Sequence, residues 1–199
     1  MPAKPRRRRA DAEQNRAAIL AVALEALTES ADISLNAVAK RAGVANATLY
    51  RHFPTREDLI LEVYRHEVAQ LTQAADDLIA RAGPDVALEQ WVARLAQYAM
   101  TKHGLAGALR AASRNGTELF AETYEPVVAA LGRLLVAAEA AGKVRTGLNP
   151  DEVILALAGL WELDPAGDWQ TQAQQLYQLV FAGPHQWPCP TTLPFSRRK

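Results

Sequence analysis

The strongest constraint on the fold lies between Ser34 and Phe53, where Ala39 and Gly43 stand four residues apart. Two short helices that cross at about 90–120° leave room at the crossing for only a small side chain, which Ala39 provides. The tight turn between such helices favours a residue that can adopt a positive φ, and Gly43 does so without steric cost. The spacing therefore predicts a short helix capped by Ser34, a turn at Gly43, and a second short helix.

The sequence on either side of this helix pair completes a three-helix unit. Residues 15–27 carry apolar side chains at helical spacing, which predicts a first helix that covers the apolar side of the pair. After the pair, Pro54 disfavours continuation and Thr55 is placed to cap a new helix. The apolar positions of the first helix are Ile19, Leu20, Ala23, Leu24 and Leu27.

The rest of the chain is predicted to be helical as well, because Gly and Pro separate its apolar segments and strand-like alternation is missing. We expect a break at His103-Gly104 and a break or a kink near Glu125, which precedes Pro126. Asn149, Pro150 and Asp151 supply a cap, a first-turn proline and a first-turn acid. The expected helices cover residues 56–82, 85–102, 105–114, 118–141, 150–163 and 168–182.

Composition excludes several classes of protein. The formal net charge is zero, but residues 1–66 carry three more positive than negative charges and residues 67–196 carry six more negative ones. A single cysteine, Cys189, rules out an internal disulfide framework and fits a reducing cytoplasm. No apolar run reaches the length of a membrane span, and the four histidines show no metal-binding spacing. We predict no catalytic residue, no metal and no cofactor.

The segment from Val38 to Leu59 resembles the DNA-binding domain of the TetR family of bacterial transcriptional repressors. The resemblance rests on the Gly43-Val44 turn, on Leu49-Tyr50, on His52-Phe53 and on Arg56, and it extends over about residues 12–71. It implies an all-α protein with an N-terminal helix-turn-helix domain and a larger helical domain for ligand binding and dimerisation. The expected divisions are a basic flexible arm (1–11), the DNA-binding domain (12–56), the effector and dimerisation domain (57–183) and a Pro-rich tail (184–199).

The resemblance also implies which side chains meet double-stranded DNA. Asn46, Ala47 and Thr48 face base edges in the major groove, where an Asn can pair with adenine and a Thr methyl can touch thymine. Tyr50, His52 and Arg56 match positions that contact phosphates. The full predicted set is Ser34, Lys40, Val44, Ala45, Asn46, Ala47, Thr48, Tyr50, Arg51, His52 and Arg56. The run from Arg6 to Arg9 either adds a salt-dependent DNA contact or serves only as a solubilising end.

For the larger domain, the resemblance implies an unknown small-molecule effector and a homodimer that pairs through residues 150–163 and 168–182. A dimer places its two DNA-binding domains on a palindromic operator, about one helical turn of DNA apart. The effector is expected to release the operator. The large apolar side chains of the middle helices, with one arginine as a polar anchor, are the candidate pocket: Trp91, Arg94, Leu95, Tyr98, Leu119, Tyr124 and Trp161.

The alternative to a DNA-binding regulator is a helical dimeric module that binds small molecules or proteins and keeps the helix pair only for packing. The two hypotheses differ in the surroundings of Tyr50 and His52. If Thr48, Tyr50, His52 and Arg56 share an exposed surface, the regulator is favoured; if Tyr50 and His52 are buried, the module is favoured.

Overall fold

The computed structural model describes residues 4–29, 33–112 and 116–181, and within those ranges the chain contains helices and no strand. The expected all-α fold is confirmed. The α-helices are α1 (Lys4–Glu29), α2 (Leu35–Arg41), α3 (Asn46–His52), α4 (Arg56–Ala82), α5 (Pro84–Ala112), α6 (Gly116–Ala140), α7 (Pro150–Ala156) and α8 (Trp169–Phe181), and a 3₁₀ helix (Leu157–Glu162) follows α7. None of the described helices combines the length and the apolar character needed to cross a bilayer.

The N-terminus differs from the expected flexible arm, since α1 already begins at Lys4 and residues 4–11 belong to it. The physical reason lies in the composition of this run. Arginine and alanine are good helix formers, and Pro5 falls in the first turn, where a missing backbone N–H removes no helical hydrogen bond. The Pro-rich tail expected over residues 184–199 lies outside the described residues.

The first three helices form a small head around one apolar centre. Leu20 of α1, Val38 of α2 and Leu49 of α3 are all at most 1% exposed. Arg16 of α1 ties the head to α4, because its guanidinium pairs with Glu62 and lies 5.8 Å from the ring centroid of Phe53. The head is therefore held onto α4 by apolar packing and by a charged contact.

Helix α4 connects the head to the body and has the predicted start. The Thr55 hydroxyl accepts a hydrogen bond from the backbone N–H of Asp58, and the Asp58 carboxylate accepts one from the N–H of Thr55. This reciprocal capping box fixes where the helix begins. Helix α4 ends at Ala82, and the next residue, Gly83, has φ +83°.

Two arginine–carboxylate pairs join α4 to α6. Arg65 of α4 donates to both carboxylate oxygens of Glu122, at 2.9 and 3.1 Å, and Arg133 of α6 donates to both oxygens of Asp76, at 2.7 and 3.3 Å. In both pairs the two partners are 57 residues apart in sequence, so a step along α4 corresponds to an equal step in the same direction along α6, and the two helices are parallel. The two pairs lie about 16 Å apart along the helix axes. The side chains are exposed, so each pair contributes only about 0.2–1 kcal/mol, but the bidentate geometry fixes the register of the helices.

Helices α5 and α6 both continue through residues that were expected to interrupt or bend them. Helix α5 runs through His103-Gly104 to Ala112, so the separate helices predicted over 85–102 and 105–114 are one element. Met100, Leu105 and Leu109 are buried on its inner side, and this burial outweighs the weak helix propensity of one glycine. Helix α6 likewise continues through Pro126 without a break.

The C-terminal elements begin and end close to the predicted positions. The Asn149 carboxamide oxygen accepts a hydrogen bond from the Asp151 N–H at 2.8 Å, with Pro150 in the first turn of α7. The predicted helix over 150–163 is divided, because α7 tightens into the 3₁₀ helix at Leu157. The last helix, α8, matches the expected element over 168–182.

Candidate DNA-binding surface and effector cavity

The turn between α2 and α3 has the geometry that the Ala39 and Gly43 spacing requires. Ala39 is fully buried, and Gly43 has φ +66°. The turn is closed by a hydrogen bond of 3.0 Å from the Val44 N–H to the Ala39 carbonyl. The prediction of two short helices around a glycine turn is confirmed, and the turn directs α3 away from α2.

Helix α3 is anchored by one side chain and exposes most of the others. Leu49 is fully buried, whereas Asn46, Ala47, Tyr50 and Arg51 are exposed, Tyr50 to 44%. Successive residues of an α-helix are rotated by about 100°, so these four form a continuous arc opposite Leu49. A helix held by a single buried leucine presents the rest of its circumference to a ligand.

Thr48 and Tyr50, both of which are expected to bind DNA, lie on different sides of α3. Thr48 and Tyr50 are two residues apart, so they project about 160° from one another. His52 is exposed and lies one turn beyond Thr48 on the same edge, whereas Thr48 itself is half-buried. A helix about 10–12 Å in diameter fills a major groove about 12 Å wide, so side chains on opposite sides of the helix would face the two opposite walls of the groove.

Ser34 and Ala45 begin the two helices in different ways. The Ser34 hydroxyl accepts the Ala37 N–H at 3.2 Å and therefore has the predicted capping role. Ala45 provides no side-chain cap, as expected from its methyl group. Both residues are exposed, and Val44 between the helices is half-buried.

Arg56 has a structural contact that the sequence did not indicate. Its Nε donates to the backbone carbonyl of Ile33 at 3.3 Å, so the half-buried guanidinium ties the start of α4 to the segment before α2. The remaining cations of the predicted set, Lys40 in the last turn of α2 and Arg51 in the last turn of α3, are exposed. Arg51 lies within the exposed arc of α3.

The body contains a cavity of about 440 Å³ between α4, α5, α6 and α7. Three of the predicted pocket residues, Tyr98, Tyr124 and Trp161, line it. The predicted set does not contain the polar lining residues Tyr64 on α4, Lys102 on α5 and Thr123 on α6, because it was built from the large apolar side chains of the middle helices. The lining residues are Tyr64, Tyr98, Lys102, Thr123, Tyr124, Val127, Ile154, Leu155, Ala158 and Trp161.

The other predicted pocket residues lie elsewhere. Trp91 and Leu95 are fully buried in the core, and the Trp91 indole donates to the Leu71 carbonyl at 2.9 Å. Neither lines the cavity. Arg94 lines a separate groove of about 410 Å³ between α5 and α8, beside Trp169 and Tyr177. The side chain of Leu119 lies outside the described part of the molecule.

The hydroxyl groups of the cavity are held by specific partners. The Tyr64 and Thr123 hydroxyls lie 3.2 Å apart in a buried hydrogen bond, and the Tyr124 hydroxyl donates to Asp151 at 3.0 Å. Burial, together with the adjacent Tyr64, raises the pKa of Tyr98 far above its ordinary value. Desolvation and the hydrogen bond to Asp151 raise the pKa of Tyr124. These phenols therefore stay protonated at neutral pH.

Comparisons with known sequence families match two separate segments of the chain. Residues 19–63 match the family described as bacterial regulatory proteins, tetR family, and residues 83–185 match the C-terminal domain of SbtR-like transcriptional regulators. A helix-turn-helix transcriptional regulator from Staphylococcus aureus is 34% identical over 83 residues. That match covers 40% of this chain, which spans 44% of the relative's length.

Similar solved structures extend over most of the chain. A TetR transcriptional regulator from Streptomyces coelicolor is 39% identical, with a TM-score of 0.75, and the alignment covers 83% of this chain and 95% of that one. A TetR transcription regulatory protein from Mycobacterium vanbaalenii is 31% identical, with a TM-score of 0.71 and coverage of 86% and 96%. The similarity therefore includes both the head and the body.

Proposed function

The chain belongs to the TetR family of bacterial transcriptional regulators, and from this premise we propose that it is a repressor that binds a palindromic operator as a homodimer. The observation that carries the proposal is the arrangement of α3, in which Leu49 is buried and the opposite arc is exposed. This arc offers both polar and cationic side chains to a groove. Regulators of this family are not enzymes, in agreement with the expectation from the sequence.

In this proposal, some side chains of α3 contact the bases and others contact the phosphates of the DNA backbone. Asn46 and Ala47, near the start of α3, face the base edges, with Thr48 at one margin. Tyr50 contacts a phosphate on one wall of the groove and His52 a phosphate on the other, because they lie on opposite edges of the helix. Arg51 and Lys40 add charge, which makes binding salt-dependent.

The exposure of Tyr50 and His52 argues against the alternative module that uses the helix pair only for packing. A packing role would bury both aromatic rings in the head or the body. Instead, Tyr50 is 44% exposed and His52 is exposed as well. Arg56 is half-buried, and its Nε donates to the Ile33 carbonyl, so this arginine has a structural contact as well as the phosphate contact that we propose for it.

The dimer is proposed to form through α7, the 3₁₀ helix and α8. Leu155 is 75% exposed and Leu179 is 52% exposed, and large apolar side chains gain about 25 cal/mol per Å² when a partner covers them. Pairing these elements across a two-fold axis gives two α3 helices that meet successive major grooves.

Release of the operator is proposed to follow ligand binding in the cavity. Tyr64 lines the cavity and belongs to α4, whose first residue, Arg56, contacts the head. A ligand that binds more tightly to one position of α4 shifts the population towards that position. By linkage, the operator then weakens binding of the ligand by the same factor.

The test begins with selection of an operator from random DNA, followed by binding titrations with two variants. Asn46→Ala should weaken binding to the selected operator by about 1–3 kcal/mol and leave binding to random duplex unchanged. Arg51→Gln should weaken both and reduce the salt slope by about 1. Equal losses on operator and random DNA for the two variants would contradict the division of roles. Failure to select any sequence would contradict the proposed function itself.

A further inference from the structure

The inner end of the cavity between α4, α5, α6 and α7 is lined by buried side chains whose polar atoms already have partners. Tyr64 and Tyr98 are at most 8% exposed, and their rings lie 6.0 Å apart. The Tyr64 hydroxyl lies 3.2 Å from the Thr123 hydroxyl in a buried hydrogen bond. Within the described part of the chain, no buried side-chain nitrogen or oxygen lacks a hydrogen-bond partner. A polar group of a ligand would therefore compete with contacts that the protein already makes.

The outer end of the cavity is lined by side chains that reach solvent and is apolar as well. Leu155 is 75% exposed and Ala158 is also exposed, whereas the half-buried Trp161 adds an aromatic surface. The cavity volume of about 440 Å³ lies in the range of about 300–1,000 Å³ that small organic molecules occupy in proteins. The cavity is therefore large enough for such a molecule and accessible from α7 and the 3₁₀ helix.

The charged groups next to the cavity wall interact with the protein itself. Among the described lining residues, Lys102 is the one with a charged side chain, and its ammonium lies 5.6 Å from the ring centroid of Tyr64. The negative face of an aromatic ring attracts such a cation. Asp151, which does not line the cavity, accepts a hydrogen bond from the Tyr124 hydroxyl at 3.0 Å. A ligand of either charge would have to replace an existing interaction.

Glu67 of α4 adds a second acid, close to Tyr98. It is half-buried, and desolvation raises the pKa of its carboxyl group. Burial raises the pKa of Tyr98, and the neighbouring Tyr64 and Glu67 raise it further, so this phenol stays protonated at neutral pH. The surroundings of the cavity thus contain one lysine and two acids. Neither an anion nor a cation would meet opposite charge alone.

We propose that the cavity binds an uncharged, predominantly apolar organic molecule. A charged group would lose its hydration on entering the cavity and would find no environment of opposite sign to replace it. An apolar body gains by leaving water and packs against the aromatic rings of the wall. This inference names the class of the effector, and it rests on the proposed function only for its consequence, which is release of DNA.

The test uses three probes that share one phenylbutyl body: 4-phenylbutan-1-ol, 4-phenylbutyrate and 4-phenylbutylamine. Calorimetric titration of the DNA-free protein at neutral pH should show that the alcohol binds about tenfold or more tighter than either charged probe, because only the charged probes must give up the hydration of an ion. Binding of either charged probe as tightly as the alcohol would overturn the proposal. The absence of alcohol binding at millimolar concentration would overturn it as well.

Two matched variants show whether the alcohol occupies this cavity. Ala158→Trp places a large side chain at an exposed lining position and should weaken binding of the alcohol by about tenfold or more. Ala156→Trp makes the same change at an exposed alanine that does not line the cavity, and it should leave the affinity unchanged. Both positions lie in the proposed dimer interface, so an effect of dimer loss alone would appear in both variants. Equal affinities of the two variants for the alcohol would overturn the assignment.

Thermal melting identifies a variant that fails to fold, and Ala158→Leu then replaces Ala158→Trp. Binding of the operator is measured separately with the same protein. If the alcohol binds selectively but no operator can be selected, the cavity assignment stands and the repressor assignment fails. If the operator binds and the three probes are not distinguished, the repressor assignment stands and the cavity assignment fails.

Discussion

At the scale of single residues, Gly43 shows how one backbone angle positions α3, the proposed DNA-binding helix. Its φ is +66°, and a Cβ built at this position would meet no heavy atom within 4 Å. The requirement for glycine is therefore conformational and does not come from crowding. Gly107 in α5 has equally open surroundings, and its φ lies outside the positive region. The two glycines differ only in the backbone conformation that they adopt.

We expect Gly43→Ala to reduce the free energy of unfolding by about 1–2 kcal/mol, because L-residues are strained at positive φ. Gly107→Ala should increase it by as much as about 1 kcal/mol, because alanine is the better helix former. Urea denaturation at one fixed protein concentration measures both. Changes of the same sign in the two variants would contradict the conformational explanation.

The role of a single residue could be predicted from the sequence where that role depends only on neighbouring residues in the chain. Ala39 and Gly43 were predictable because a sharp helix crossing needs a small residue and a positive φ within one short segment. Lys102 and Tyr64 were not, because their part in the cavity depends on which faces of α4 and α5 meet α6 and α7. The large apolar side chain of Trp91 favours a pocket residue, but the packing of α5 on α4 buries it in the core.

At the scale of elements, helix ends were predicted better than helix breaks. The capping box of Thr55 and the Asn149 cap act through contacts within three residues, so the sequence contains the whole signal. The break expected at Gly104 did not form, and α6 continues as one helix through Pro126, because long apolar faces on α5 and α6 pack against neighbouring helices. Tertiary packing then outweighs a local helix breaker.

Pro126 should reduce stability in its present position within α6. It cannot donate the backbone hydrogen bond to the carbonyl of residue 122, and its ring crowds the preceding turn. Pro126→Ala is expected to raise the free energy of unfolding, by up to about 3 kcal/mol. Thermal and urea unfolding measure the change, with Glu125→Ala, at the exposed neighbouring position, as the control. A loss of stability in Pro126→Ala would mean that the helix depends on a bend at this position.

At the scale of the whole molecule, the exposed apolar side chains are distributed unevenly. Leu155 on α7 and Leu179 on α8 belong to the proposed interface, whereas Val136 on α6, 69% exposed, does not. The general division into head and body was predictable from the charge distribution and from the helix pair. The interface was predicted by resemblance alone, since apolar periodicity does not distinguish a monomer's core from a surface that a partner covers.

Replacing Leu155 with Lys should dissociate the dimer, because it places a charge where an apolar contact is proposed. Val136→Lys, a substitution at a similarly exposed apolar position, should leave the dimer intact. Sedimentation equilibrium of both variants measures the association constant. Dissociation by Val136→Lys with an intact Leu155→Lys dimer would place the interface on another face.

The central claim is that two α3 helices, held at a fixed separation by the dimer, read two half-sites on one face of DNA. The most direct measurement is the affinity for the selected operator before and after insertion of about five base pairs, half a helical turn, between the half-sites. We predict that the insertion lowers the affinity to that of a single half-site, because it rotates the second half-site to the opposite face. An affinity that the insertion does not change would contradict the account.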